Sequence, residues 1–464
     1  METIHYPVKG RKLQTSVTEE TLNLLLGRFK EWQQGPGVFG MLILHSCWSE
    51  SRVLDRRYQG ETVHQFIEWG AFFRRMYESN KDERYRVLVN SMAAHLLYLQ
   101  DPSGGFIHCT AEFEPSFNTS GCPIHWFSPV IALLEYYAWP YADPVIKSLI
   151  PDAVERQWNW AQSFAWKRGN GRFHPLSHPG WCGVTNQDLT AVSALALTGK
   201  VLGIWDRYEQ YGKPALDYML SPANYYEKIG LFERGDGVNF AERTVYYIHI
   251  LTPLKRIFSC TGDERIPGVI DNVASHLFDA AFVHEDGFTY LARGAITDPE
   301  DKSYVKGWEY HSIAFQGYPT LIAFMEDHLR KSPDPKKAEI LESLKETVAG
   351  YIFADGNIPC SVFNPNGLFQ VVVTLPNGGW LEMVQNILGD RIKNCHPVAA
   401  PCIHRTCGEF TYKQNGPMWA LEKGGDRLYG GYSRFAGNMV HGPDEKPIWS
   451  DFSALEPCQV KETM

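Results

Sequence analysis

Apolar residues recur every three or four positions along most of the chain, and the helical stretches they mark run into turns built on glycine. Leu88, Met92, Leu96 and Leu99 lie on one helical face. The stretch stops at Gln100-Asp101-Pro102-Ser103-Gly104-Gly105-Phe106, where proline and paired glycines break the pattern. Related turns follow at Gly169-Asn170-Gly171-Arg172-Phe173, Gly235-Asp236-Gly237-Val238-Asn239-Phe240, Asp286-Gly287-Phe288-Thr289-Tyr290 and Asp355-Gly356-Asn357-Ile358. With Gly105, Gly171, Gly237, Gly287 and Gly356 as markers, the intervals are 66, 66, 50 and 69 residues. Each interval holds two helices and their loops. The pattern predicts helices over 186–204 and 214–220, and one over 338–352 with Leu341, Leu344, Val348 and Ile352 on one face.

A period this long, with one helical hairpin per repeat, describes units that bury their apolar faces only against neighbours. An N-terminal unit around 69–76 brings the count to about six hairpins, the number that closes an α/α toroid. The competing expectation is an irregular α-helical enzyme whose glycine turns are only helix C-caps. From residue 358 the texture changes. Gln370-Val371-Val372-Val373-Thr374-Leu375 is β-branched and flanked by turn residues, and Glu409-Phe410-Thr411-Tyr412 and Arg427-Leu428-Tyr429-Gly430-Gly431-Tyr432 also suit short strands. The predicted architecture is therefore mainly α: an (α/α)6-type toroid over 1–357, with a small β-containing segment over 358–464 packed on it.

Composition narrows the partners. The chain of 464 residues carries 53 acidic against 44 basic side chains, a net charge of −9, without a Lys/Arg-rich run. Nucleic acid and anionic membrane surfaces, which need clustered positive charge, are thereby disfavoured. The start of the chain lacks the apolar stretch of a signal peptide, and no window approaches the roughly 18 apolar residues of a membrane span, so the expectation is a cytoplasmic protein. Ten cysteines are too few for a disulfide scaffold at this length. Aromatics make up 13% of the chain, which suits sugar stacking and wide toroid cores alike. No intact GxGxxG, Walker, HExxH or GxSxG motif is present, so no organic cofactor is expected.

The chemistry is expected where loops meet the starts of inner helices. Two such stretches are unusually polar. Trp181-Cys182-Gly183-Val184-Thr185-Asn186-Gln187-Asp188-Leu189-Thr190 flows into an apolar helix, and its structural reading is an N-terminus capped by Thr185 or Asn186 with Asp188 near the positive end of the dipole. Asp236-Gly237-Val238-Asn239-Phe240-Ala241-Glu242-Arg243-Thr244-Val245-Tyr246-Tyr247-Ile248-His249 leads into a helix through Leu251 and Leu254 that ends in Thr261-Gly262-Asp263.

This second stretch resembles the heparinase II/III-type and alginate-lyase-like toroidal polysaccharide lyases. In those enzymes an Asp-Gly turn leads into Glu-Arg-Ser-Pro-x-Tyr-His, whose tyrosine is catalytic. The resemblance spans roughly 181–263 and implies Tyr247 as the catalytic phenol. Val245 replaces the family's proline, and Ile248 stands where its histidine follows, with His249 one place late. Asn186 matches the first residue of the family's Asn-His pair, whose histidine is replaced by Gln187 or Asp188. The implied reaction is β-elimination on a uronic-acid-containing oligosaccharide.

Such an elimination removes the weakly acidic proton beside a carboxylate, so the site must stabilise an enolate-like dianion and present a base and an acid. Asn186, with Gln187, Asp188 or Arg243, would hold the substrate, and Tyr247 would act once a neighbouring cation lowered its pKa from about 10. His125, His249 and His311 each begin an inner-helix candidate and join the catalytic set. Trp126, Tyr246, Tyr290, Arg293 and Trp308 are substrate-binding candidates on the same loops. Three other readings stay open: a cyclase, dehydratase or isomerase of a terpenoid or other small molecule in an aromatic cavity; a glycoside hydrolase with a carboxylate pair drawn from Asp188, Asp236, Glu242 and Glu309; and a non-catalytic sugar-binding toroid. Cys402, His404 and Cys407, near Cys395-His396, are the candidate ligands for a structural zinc, although their spacing matches no standard finger.

Overall fold

The computed structural model describes residues 65–98, 123–164, 183–235, 241–284, 286–298, 300–310, 312–314 and 318–351, with shorter pieces at 3–4, 8–12, 100, 104–106, 361–363, 373–374, 380–381, 403–407, 410–415, 418–423, 426–432 and 462–463. Ten α-helices of these residues form five hairpins in chain order: α1 (Gln65–Asn80) with α2 (Glu83–Tyr98), α3 (Pro123–Ala138) with α4 (Pro144–Phe164), α5 (Thr185–Leu202) with α6 (Lys213–Met219), α7 (Ile248–Thr261) with α8 (Arg265–His276), and α9 (Tyr318–Lys331) with α10 (Pro335–Tyr351).

The first helix of each pair stands in an inner ring. α1 packs on α3, α3 on α5, α5 on α7 and α7 on α9, while each second helix covers its own partner from outside. Sequence explains the division. Every residue of α5 from Thr185 to Gly199 is buried, polar and apolar alike, as a helix enclosed on every side must be. The outer α4 keeps an amphipathic pattern, burying Ile150, Val154, Trp158 and Ala161 while Val145 and Leu149 stay exposed.

Glu135 near the end of α3 ties three inner helices together. It accepts from Arg74 of α1 at 2.6 Å and from Arg256 of α7 at 3.0 Å, reaching past α5. All three side chains are mostly buried. Helix C-termini are electronegative, so two cations around one carboxylate is the favourable arrangement there.

Glycine has two distinct uses. Gly203 and Gly262 take left-handed conformations and cap α5 and α7, with their N–H groups on the carbonyls of Gly199 and Phe258. The predicted turn at Gly104-Gly105-Phe106 is present after α2. Gly104 has φ +106°, an added Cβ there would lie 2.2 Å from the Arg156 carbonyl oxygen, and Gly105 lets Trp160 pack against the backbone. Gly287, read from sequence as the end of a helical unit, instead turns a β-hairpin at φ +77°. Gly171, Gly237 and Gly356 lie outside the described residues.

Short antiparallel hairpins interrupt the helical repeat: β2 (Tyr225–Tyr226) with β3 (Leu231–Phe232), β4 (Ala281–Val283) with β5 (Thr289–Leu291), and β6 (Gly294–Thr297) with β7 (Val305–Glu309). The sequence reading placed no strand here. Across residue 358 the chain is stitched by sheets. β8 (Ser312–Ala314) pairs with β9 (Ser361–Phe363), and β1 (Thr3–Ile4) pairs with β10 (Val373–Thr374), itself paired with β11 (Trp380–Leu381). Of the expected tail strands, 370–375 supplies β10, whereas 409–412 and 427–432 belong to a five-stranded sheet with the order β15 (Asp426–Tyr432), β14 (Met418–Lys423), β13 (Phe410–Asn415), β12 (Ile403–Cys407), β16 (Glu462–Thr463). Among the described residues no helix is long and apolar enough to cross a membrane.

Candidate active site

The starts of α5 and α7 are brought side by side by backbone pairing. Val184 bridges Gly235, the Thr185 N–H donates to the Arg234 carbonyl at 3.0 Å, and Thr185 Oγ1 donates to the Glu233 carbonyl at 2.6 Å. The expected cap is therefore corrected. Val184 occupies the N-cap of α5 in an extended conformation without a side-chain bond, and the Thr185 hydroxyl ties the helix start to the strand segment instead. Asn186, Gln187 and Asp188 are buried in the first turn. Asn186 Oδ1 has no hydrogen-bond partner among the described residues.

Arg234 and Glu242 form the electrostatic centre. Arg234 Nη1 lies 2.6 Å from Glu242 Oε1, which also accepts the Arg243 backbone N–H at 2.8 Å. The Arg234 guanidinium covers the Tyr246 ring at 4.4 Å, so Tyr246 is a platform for a cation. Burial pushes the Glu242 carboxyl above its ordinary range, and the Arg234 charge opposes that shift.

A 3₁₀ turn, Thr244–Tyr247, feeds α7 and sets the next two side chains. Tyr247 points into the core, where its hydroxyl accepts the Phe232 N–H at 3.0 Å, and burial raises its pKa well above 10. That is the reverse of the shift expected for a phenol activated by a cation. His249 keeps some exposure, yet its pKa is pushed down to about 4, first by desolvation and then by the charge of Arg234. A neutral imidazole at physiological pH follows.

The β6–β7 hairpin meets the same place. Arg243 bridges Gly294, the Thr244 N–H donates to the Arg293 carbonyl at 2.8 Å, and the Arg293 N–H donates to the Glu309 carbonyl at 2.7 Å. Arg243, Arg293 and the strand carrying Trp308 are thus joined to the start of α7. Lys302 of the hairpin reaches the buried Glu233 carboxylate at 3.0 Å, and that carboxylate also accepts from Tyr226.

Other expected residues are placed elsewhere. Tyr290 is fully buried, donates to Asp286 at 2.8 Å and lies 2.9 Å from the Tyr351 hydroxyl, in the core between the β4–β5 hairpin and α10. Trp126 is a core residue set edge-on to Trp160 at 5.3 Å, and His125 beside it in the first turn of α3 is buried. Tyr290 and Trp126 therefore present no face for stacking. His311 lies outside the described residues; Trp308 and Glu309, read as leading into a helix, belong to β7, and the next helix, α9, starts at Tyr318. Cys402 also lies outside them, and His404 and Cys407 are backbone positions of β12. Among the described residues no group of three or more His, Cys, Asp or Glu side chains is placed to hold a metal ion. Arg234 was not singled out from sequence, although the charged run Glu233-Arg234 directly before Gly235-Asp236-Gly237 marked it.

The architecture is that of an (α/α)6 toroid, and solved structures share it. Cellobiose 2-epimerase from Bacillus thermoamylovorans B4167 superposes with a TM-score of 0.54 at 14% identity, over 75% of this chain and 93% of the epimerase. A sugar epimerase from a ruminal bacterium gives 0.50 at 13% identity, over 75% and 91% of the two chains. No family model matches the chain, and no curated protein matches it.

Proposed function

We propose that this protein is a carbohydrate-active enzyme that removes the proton from the carbon beside a carbonyl of a sugar and returns it, an epimerisation or isomerisation. The observation that carries the proposal is the division of labour at the start of α7: Tyr247 is spent on the Phe232 N–H in the core, while His249 remains partly exposed and neutral beside Arg234. A neutral imidazole can accept the proton, and Arg234 with Arg243 would stabilise the enediolate that forms. Asn186 would bind a substrate oxygen from the facing helix start. Shared architecture with two sugar epimerases supports a sugar substrate. The reaction needs no organic cofactor.

β-Elimination on a uronide is the second reading, favoured by the concentration of Arg234, Arg243 and Asn186, which suits a carboxylate. It begins with the same proton abstraction and differs in what leaves. A glycoside hydrolase would need a carboxylate pair from Asp188, Asp236, Glu242 and Glu309; of these Glu242 is paired with Arg234 and Asp236 lies outside the described residues, and reducing sugar released without exchange or ultraviolet absorbance would select this reading.

The test is incubation with neutral aldoses and disaccharides in D2O, followed by NMR. Deuterium at the carbon beside the anomeric centre, with appearance of the epimer or ketose, is the expected result, and His249→Gln should abolish it. Ultraviolet absorbance of an unsaturated uronate from a uronide panel would select elimination. Absence of exchange with every sugar would overturn the catalytic reading.

A further inference from the structure

We propose that Glu242 is a specificity-determining residue of this site, its second carboxylate oxygen accepting one hydroxyl group of the sugar. The inference rests on the carbohydrate reading above. The Glu242 side chain is completely enclosed, yet its two oxygens are treated unequally. Oε1 receives the Arg234 guanidinium at 2.6 Å and the Arg243 N–H at 2.8 Å. Oε2 is buried and has no hydrogen-bond partner among the described residues.

A buried acceptor left without a donor costs about 1 to 3 kcal/mol, more when it bears charge, so such an atom calls for something that fills it. The carboxylate is held through Oε1 by the Arg234 guanidinium and the Arg243 N–H, on a backbone fixed by the Glu242 N–H on the Phe232 carbonyl at 2.7 Å. Charge selects the occupant. Arg234 already neutralises Glu242, so a second cation is not required, and an anionic group would be repelled by the carboxylate oxygen. A neutral O–H donor is the complement, and a charge-assisted bond to it is stronger than a neutral one. The position fits: Arg234 is bonded through its carbonyl to the start of α5 beside Asn186, and Glu242 lies seven residues before His249 on the segment that enters α7.

The experiment compares binding of glucose, mannose and cellobiose with their single-deoxy analogues by ligand-observed NMR, for the native protein and for Glu242→Gln. In the variant the amide oxygen turns to Arg234 and an N–H donor stands where the acceptor was. The native protein is expected to bind a parent sugar roughly tenfold or more tightly than one particular deoxy analogue. Glu242→Gln should weaken the parent by a similar factor and erase the difference between the two. A merely structural glutamate would lower thermal stability and leave that discrimination intact. If Glu242→Gln does not fold, Glu242→Asp, which withdraws the oxygen, serves in its place. The proposal is overturned if the variant discriminates as the native protein does, if the native protein discriminates against no deoxy analogue, or if it binds none of the sugars. Discrimination lost in the variant, with no deuterium exchange in the native protein, would leave this inference standing and remove only the catalytic reading.

Discussion

The hydroxyl of Tyr247 accepts the backbone N–H of Phe232 at 3.0 Å, so the tyrosine that the lyase resemblance marks as a catalyst holds the β2–β3 hairpin to the start of α7. Tyr247→Phe leaves that buried N–H without its acceptor. The expected loss of stability is about 1 to 3 kcal/mol by chemical denaturation, with turnover at or near the native rate. Loss of turnover in a fully stable variant would return the phenol to the chemistry.

His249 has a folded-state pKa of about 4, below its ordinary value of 6.5. The unfolded chain therefore binds more protons between these values, and stability falls as the pH drops from about 6.5 towards 4. In His249→Gln this part of the pH dependence should vanish, leaving a flatter stability profile over the same window. Activity that depends on the neutral imidazole should survive well below pH 6 and fail near pH 4.

Glu135 joins Arg74 and Arg256 across the ring. Glu135→Ala leaves two mostly buried guanidinium groups facing each other, and the expected cost is about 2 to 4 kcal/mol, seen as a lower Tm. Arg74→Met in the same background should recover part of it, because one uncompensated cation is removed. Additive losses from the two substitutions would show that the three side chains do not act together.

Gly104 combines a positive φ with a backbone carbonyl where a Cβ would stand. Gly104→Ala should destabilise the protein by about 2 kcal/mol or more, whereas Gly203→Ala, with open space around its Cβ, should cost only the left-handed backbone term of about 1 kcal/mol. Thermal melting of the two variants side by side decides whether packing or backbone conformation dominates.

Local periodicity made the helices legible. The expected span 186–204 is α5 (Thr185–Leu202), and 338–352 is α10 (Pro335–Tyr351), because apolar residues recurring along a helix mark its extent locally, and Gly203 caps the first of them. The hairpins between 225 and 309 were not legible. Strands of two to five residues carry too little alternation to register, and they form because the toroid holds their partners in place. Gly287 shows the limit of the repeat: its Asp-Gly-aromatic string suits a helical unit and a β-hairpin turn equally.

By itself the sequence determined the helical repeat and marked the two polar helix starts, since each depends on residues within a turn or two of one another, whereas the ring closes through contacts between segments far apart in the chain. Which side chain at those starts is tied into the framework and which keeps some exposure was decided only by tertiary structure. Tyr246, Tyr247 and His249 are neighbours in the chain, but Arg234 covers the first, Phe232 captures the second, and the third alone keeps some exposure. The same holds for Glu135, whose partners lie 61 and 121 residues away. Hydrogen bonds and ion pairs between distant segments exist only after the ring has closed, and they decide which polar residues are held in the framework.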